Sequence, residues 1–149
     1  MDKQFNKLLT KRSQESLTLH FCGVVRFAVQ CLLIDKNIEE RGHLAGLLLS
    51  LGVECELLEE LPAHRENEHN NASLVFVEAS SSVVAQAIVK QFLHQQAGTN
   101  APKIICYAEA PHIDDMAACI MAGASDVLVK PFDRDLLRFK LEQAGFSVH

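Results

Sequence analysis

One stretch decides the fold of this chain: Ala122-Gly-Ala-Ser-Asp-Val-Leu-Val-Lys-Pro-Phe132. Gly123 is the residue type that commonly ends a helix, and the apolar run from Val127 to Val129 is typical of a short buried strand. Pro131 ends that strand, because proline has no amide hydrogen to give to a sheet. The stretch therefore predicts a helix end, a buried strand and a lysine, Lys130, at the carboxyl end of the strand.

Four other runs have strand character. Cys31–Ile34, Leu74–Val77 and Ile104–Tyr107 are continuously apolar, whereas Val53–Leu58 alternates apolar and acidic residues, as a half-exposed strand does. Apolar strands that alternate with helices are typical of a parallel sheet covered on both faces. We therefore expect an α/β fold, with a five-stranded, doubly wound parallel sheet in three α/β/α layers.

Apolar residues three and four positions apart predict a helix after four of the strands. The residues expected to face the sheet are Leu44, Leu47, Leu48 and Leu51; Val84, Ile88 and Phe92; Ile113, Ala117, Ile120 and Met121; and Leu137, Leu141 and Ala144. The segment from Leu61 to Asn71 is polar, and its pattern fits either a short helix or a loop.

The chain has 149 residues, which is enough for one domain with its own core. We expect that domain to span residues 29–149. Residues 1–28 do not fit the alternation and are expected to form an N-terminal extension, either an arm or an extra strand at Leu17–Cys22. The start of the extension is basic, through Lys3, Lys7, Lys11 and Arg12. A packing arm and an interaction arm are both compatible with this pattern.

Composition excludes several classes of function. The net charge of −5 argues against direct nucleic-acid binding, which needs clustered Lys and Arg. No apolar stretch approaches the roughly 18 residues that predict a membrane span, and the N-terminus does not have the pattern of a signal peptide. The five cysteines include no C-x-x-C pair, so we expect reduced thiols and a cytoplasmic protein rather than a disulfide or zinc framework.

Three charged residues follow apolar runs directly. Asp35, Glu78 and Lys130 each stand where a predicted strand ends. Because the carboxyl ends of parallel strands open into one crevice, these side chains are expected to converge there. The segment from Asp35 to Glu40 contains no glycine, which argues against a dinucleotide or P-loop site.

Three segments together resemble one family. Leu32–Asp35 looks like a first strand with its terminal acid, Pro102–Ala110 like a fourth strand and its loop, and Ala122–Phe132 like the fifth strand with its Lys-Pro. From Val29 onward, the sequence resembles the receiver domain of bacterial two-component response regulators. This resemblance implies the CheY-like, flavodoxin-like fold.

The resemblance also implies a phosphoacceptor pocket, and this chain departs from it at three of five positions. Asp35 and Lys130 match the family, whereas Lys36 stands in place of a second acid, Glu78 in place of the phosphorylated Asp, and Tyr107 in place of a Thr or Ser. We expect no cofactor and little magnesium affinity. Asp35 and Glu78 are the two carboxylates left to bind magnesium, which prefers several oxygen ligands. We also expect an ion pair between Glu78 and Lys130 that closes the pocket. A constitutive mimic of the phosphorylated state and residual phosphorylation are the alternatives.

The degenerate pocket indicates a module without enzymatic activity, which acts by binding a protein partner or a second copy of itself. In the family, the face formed by the helix after the fourth strand, the fifth strand and the last helix often pairs two copies. Here that face is expected to contain Ile113, Met116, Asp126, Arg134, Asp135 and Arg138.

Such receivers are commonly joined to other domains. Two kinds of protein with such a receiver are Tad-pilus assembly proteins of the TadZ/CpaE type, which carry a ParA-like ATPase, and NtrC-class activators. The pilus type is preferred. A functioning phospho-accepting receiver of a phosphorelay is the alternative function.

Overall fold

The structure is a computed structural model that describes residues 30–61, 72–95 and 101–148. Strands and helices alternate along these residues. In chain order they are β1 (Cys31–Ile34), α1 (Ile38–Ser50), β2 (Cys55–Leu58), β3 (Leu74–Glu78), α2 (Ser82–Gln95), β4 (Lys103–Glu109), α3 (Ile113–Ala122), β5 (Asp126–Lys130) and α4 (Arg134–Gln143).

The five strands form one parallel sheet in the order β2-β1-β3-β4-β5. The chain starts near the middle, runs to one edge, and then crosses to the other. This topology confirms the doubly wound α/β prediction. The register places Glu78 beside Tyr107 and Lys130 beside Glu109, so the expected site residues lie at the same edge of the sheet.

The two faces of the sheet support separate cores, because alternate strand residues point to opposite sides. Leu33, Phe76 and Tyr107 pack with α1 and α4 on one face. Val75 and Cys106 pack with α2 and α3 on the other. Together these layers give the expected α/β/α arrangement.

The inward faces of two helices agree with their predicted patterns. In α1, Leu44, Leu48 and Leu51 are buried, and Leu47 packs against the core. In α4, Leu137 and Leu141 are buried. Leucine at these spacings leaves little ambiguity, since the polar residues of both helices mark the other side.

The predicted face of α2 is right in part, because Phe92 is buried and Ile88 packs against the core, whereas the predicted face of α3 is wrong. In α2 the buried residues are Ala85, Val89 and Phe92, and Val84 is exposed. In α3 the buried residue is Cys119, which was not predicted, while all four predicted residues, Ile113, Ala117, Ile120 and Met121, are exposed. Both helices are apolar almost all round, so the spacing alone does not say which face meets the sheet.

Two sequence predictions lie outside the described residues: the N-terminal extension 1–28, and nearly all of the polar segment from Leu61 to Asn71. Within the described part, Cys31, Cys55, Cys106 and Cys119 carry free thiols. None of the described helices is long and apolar enough to cross a membrane.

Candidate functional site

Asp35 is the centre of the pocket at the carboxyl edge of the sheet. Its side chain is buried, and both carboxylate oxygens accept hydrogen bonds. The Tyr107 hydroxyl donates to Oδ2 at 2.7 Å, and the backbone N–H of Asn37 donates to Oδ1 at 2.9 Å. The backbone carbonyl of Asp35 also accepts from the buried Arg41 guanidinium, at 2.8 Å. A buried carboxylate is stable only with such partners, and here they are all protein groups.

Tyr107 fills the space between β4 and Asp35. The side chain is fully buried, and its ring meets Phe76 edge-on with centroids 6.4 Å apart. Burial, followed by the hydrogen bond to Asp35, raises the pKa of the Tyr107 phenol well above its usual range. The phenol therefore stays protonated at physiological pH and acts as a neutral donor to Asp35.

Lys130 is held by a partner that the sequence analysis missed. Its ammonium pairs with the carboxylate of Glu40, from the first turn of α1, and lies 5.0 Å from the centre of the Tyr107 ring. Burial lowers the pKa of Lys130, and the negative charge of Asp35 opposes that shift. The pattern Asn37-x-x-Glu40 resembles a capping box, a sequence signal for a helix start that does not indicate that Glu40 reaches β5.

Glu78 forms hydrogen bonds within the loop that follows β3. Its carboxylate accepts from the backbone N–H of Ser80 at 2.7 Å and from the Ser80 hydroxyl at 2.9 Å. The predicted ion pair between Glu78 and Lys130 is therefore wrong in this structure. Two donors two residues away satisfy Glu78, while the first turn of α1 places Glu40 at Lys130.

Lys36 is exposed, and it makes no ion pair with Asp35, whose oxygens are taken by Tyr107 and Asn37. A cation thus occupies the position where the family pattern has a second acid. Of the expected pocket residues, the structure brings Asp35, Tyr107 and Lys130 together, and leaves Glu78 and Lys36 at the margin.

The residues at this edge do not fit the magnesium ion that receivers of this fold bind. Magnesium requires several oxygen ligands in near-octahedral geometry. Both oxygens of Asp35 are engaged, Glu78 is turned to Ser80, and Lys36 adds positive charge nearby. Across residues 30–61, 72–95 and 101–148, no three His, Cys, Asp or Glu side chains form a metal-binding group.

The fold can be compared with that of known proteins. The structure matches a response regulator from Thermotoga maritima with a TM-score of 0.66 at 16% identity, over 79% of this chain and 98% of that one. The chain has the response-regulator receiver fold. No protein-family model matches the sequence, and no curated protein matches it.

Two other structures place the receiver fold in different settings. A putative pilus assembly-related protein from Burkholderia pseudomallei matches with a TM-score of 0.64 at 12% identity, over 78% of this chain and 89% of that one. NtrX from Brucella abortus, solved in complex with ATP, matches with a TM-score of 0.67 at 23% identity. The match covers 79% of this chain but only 26% of NtrX, so the likeness concerns one part of that protein.

The outer face formed by α3, β5 and α4 differs in detail from the predicted dimer face. Three of its predicted charges already have partners within the chain: Asp126 pairs with Lys140, Arg138 with Glu142, and Arg134 donates to Ser50 of α1. Ile113 and Asp135 are exposed, and Met116 is half-buried.

Sequence reasoning did not select the apolar residues Val129, Leu136 and Phe139, which are exposed on β5 and α4. Leu136 and Phe139 lie inside a mostly polar helix, and this pattern could have identified them as exposed apolar residues.

Proposed function

We propose that this chain is a phosphorylation-independent receiver that acts as a protein-interaction module without catalytic activity. One observation supports this most strongly: the buried Tyr107 hydroxyl donates to the Asp35 oxygen at 2.7 Å. That oxygen belongs to Asp35, the acid at which this chain matches the metal-binding position of the family pattern. A neutral phenol on it leaves no room for a magnesium ion there.

The remaining contacts support the same proposal. Phosphoryl transfer to a carboxylate depends on a metal ion and a cation that together neutralise the developing charge. Lys130 is paired with Glu40, whose carboxylate takes the place that a phosphoryl group would have as the counter-charge. Glu78, at the acceptor position, is held by Ser80. The pocket is closed by its own side chains.

A phosphodonor experiment tests this proposal. The purified chain is incubated with acetyl phosphate and magnesium, and its intact mass is measured. We expect no mass increase. A gain of one phosphoryl group that disappears in Glu78→Gln would show that the chain is a functioning acceptor, and would overturn the proposal.

We further propose that the module binds a second copy of itself through the face of α3, β5 and α4. Val129, Leu136 and Phe139 are exposed on β5 and α4, the two elements that also carry the Asp126–Lys140 ion pair. An apolar centre with charges around it is the composition of many interfaces, and a two-fold dimer brings the same patch from each copy together.

Sedimentation tests the dimer with a matched pair of variants. Phe139→Asp places a charge in the proposed interface, and Leu49→Asp places one on α1, where Leu49 is equally open to solvent. We expect the wild type and Leu49→Asp to sediment as dimers and Phe139→Asp as a monomer. A monomeric wild type, or equal behaviour of both variants, would contradict this interface.

We infer that the module serves a larger assembly in bacterial signalling or pilus localisation, in the cytoplasm. The likeness to a pilus assembly-related protein supports the pilus setting. The likeness to one part of NtrX, a protein solved with ATP, supports a receiver joined to an ATPase or output domain. Co-purification from the native source, followed by identification of the bound or fused domain, tests this setting.

A further inference from the structure

Apolar side chains stand open to solvent around the carboxyl edge of the sheet. Ile38, Val83 and Ile113 occupy the first turns of α1, α2 and α3 and are 71%, 75% and 82% exposed. These turns share one edge because each helix follows a parallel strand. The Ser82 hydroxyl donates to Oδ1 of Asp115 at 2.9 Å, which ties the starts of α2 and α3 together. We call this surface the carboxyl rim.

The carboxyl rim is also acidic. Exposed acids flank the apolar residues: Glu39, Glu59, Glu60, Glu109 and Asp114. Within the described residues, the loops that follow β1, β2, β3 and β4 contain one exposed Lys or Arg, which is Lys36. Lys130, at the end of β5, is partly buried and paired with Glu40. A surface of this kind fits a ligand that is both basic and apolar.

The chain itself contains such a ligand in its first 12 residues. This segment has four Lys and Arg residues and one Asp, a net charge of +3, so the remainder of the chain, at −5 − 3, has a net charge of −8. Phe5, Leu8 and Leu9 lie among the basic residues. We propose that residues 1–12 dock on the carboxyl rim of the same chain, with their apolar side chains against Ile38, Val83 and Ile113.

The length of the chain permits this contact. The described part begins at Gln30, just before β1 and therefore at the opposite edge of the sheet. Seventeen residues separate residue 12 from Gln30, and an extended chain of that length reaches about 55 Å. The four residues of β1 span only about 13 Å. The connection is long enough to pass from one edge to the other.

Charge favours residues 1–12 as the ligand of the carboxyl rim over a second copy of the chain or a nucleic acid. The body of a second copy would bring net negative charge to an acidic rim, and nucleic acid would be repelled for the same reason. A basic segment of another protein has the right chemistry but must bind from solution. The chain's own segment is tethered, at an effective concentration on the order of millimolar.

Limited trypsin digestion of the full chain tests the docking, because Lys7, Lys11 and Arg12 are themselves cleavage sites. Cleavage after these residues is followed by intact mass. In the rim variant Glu59→Gln/Glu109→Gln, we expect cleavage to be at least about threefold faster than in the wild type, because proteolysis follows the population of the undocked form. Added salt should accelerate cleavage of the wild type in the same way.

The variant Glu54→Gln/Glu142→Gln is the matched control. It removes two exposed acids next to the other edge of the sheet and gives the same net charge. We expect it to be cleaved at the wild-type rate. Equal cleavage rates in all three proteins would overturn the proposal. Protection that increases with protein concentration would also overturn it, because the segment would then dock on a second copy.

Discussion

At the scale of single residues, the contacts in the pocket fit our proposal that it does not act as a phosphorylation switch. A small hydroxyl residue after β4 can rearrange around a phosphoryl group, but Tyr107 is fully buried and bonded to Asp35 across the sheet. Lys130 is occupied by Glu40 and by the Tyr107 ring. Every strong interaction of the pocket is thus made without a ligand.

The single tyrosine of the chain makes this contact directly measurable, since the sequence contains one Tyr and no Trp. The raised pKa of Tyr107 means that the native state keeps the phenolic proton after the unfolded state has lost it, near pH 10. The Tyr107 contribution to stability is therefore intact below about pH 10 and is lost as the pH rises above it. Absorbance at about 295 nm, the phenolate band, should rise only when circular dichroism shows unfolding. Phenolate formation near pH 10 in the folded protein would contradict the buried contact.

Glu40 and Glu78 can be distinguished by parallel substitutions. Glu40→Gln leaves the partly buried Lys130 without its ion-pair partner, and we expect the free energy of unfolding to fall by about 1 kcal/mol. Glu78→Gln retains an oxygen that can accept from Ser80 and should change it less. Urea unfolding of both variants measures the difference. A larger loss for Glu78→Gln would indicate that Glu78, and not Glu40, holds Lys130.

The closeness of three residues at this edge of the sheet could be expected from the sequence. Asp35, Tyr107 and Lys130 lie at the ends of strands, and in a parallel sheet those ends are neighbours whatever the loops do. Glu40 was missed because its contact depends on the tilt and rotation of α1, which no local pattern encodes. The partner of Glu78 was predicted wrongly because the sequence did not show that Ser80 would donate hydrogen bonds to the Glu78 carboxylate.

At the scale of elements, the strands were predicted better than the helix faces. Short apolar runs bounded by charged or turn residues defined β1, β3, β4 and β5 to within one or two residues. In α3, by contrast, small and large apolar residues alternate around the helix, and the buried position is Cys119 rather than Ile120 or Met121. The crossover geometry of the sheet decides which face turns inward, and this is a tertiary effect.

Two glycines of opposite role provide an element-scale prediction. Gly123 ends α3 with a φ of +119°, and a Cβ there would collide with the Leu93 side chain. Gly46 lies inside α1, and a Cβ there would meet nothing within 4 Å. Gly123→Ala should therefore destabilise by about 1–3 kcal/mol, whereas Gly46→Ala should stabilise by about 0.5–1 kcal/mol. Thermal unfolding of both variants measures these effects, and a neutral Gly123→Ala would refute the packing of α2 against the end of α3.

At the scale of the whole molecule, our proposal places function on the surface rather than in the crevice. The sheet order places the closed pocket at the middle of the carboxyl edge, between the ends of β1, β3 and β4. The exposed apolar residues lie elsewhere, on the face of α3, β5 and α4 and on the carboxyl rim. This distribution supports the proposal that the chain holds partners together rather than responding to phosphorylation.

Binding of magnesium with beryllofluoride, an analogue of the phosphoryl group, tests this account most directly. A ligand that binds only the folded state raises the melting temperature, and at a given concentration it raises it more the tighter it binds. Thermal unfolding of the chain is compared in millimolar magnesium chloride, with and without beryllofluoride, and in potassium chloride of equal ionic strength. We expect the same melting temperature in all three solutions. A rise of several degrees with magnesium and beryllofluoride would show that the pocket opens and binds them, and would contradict the account.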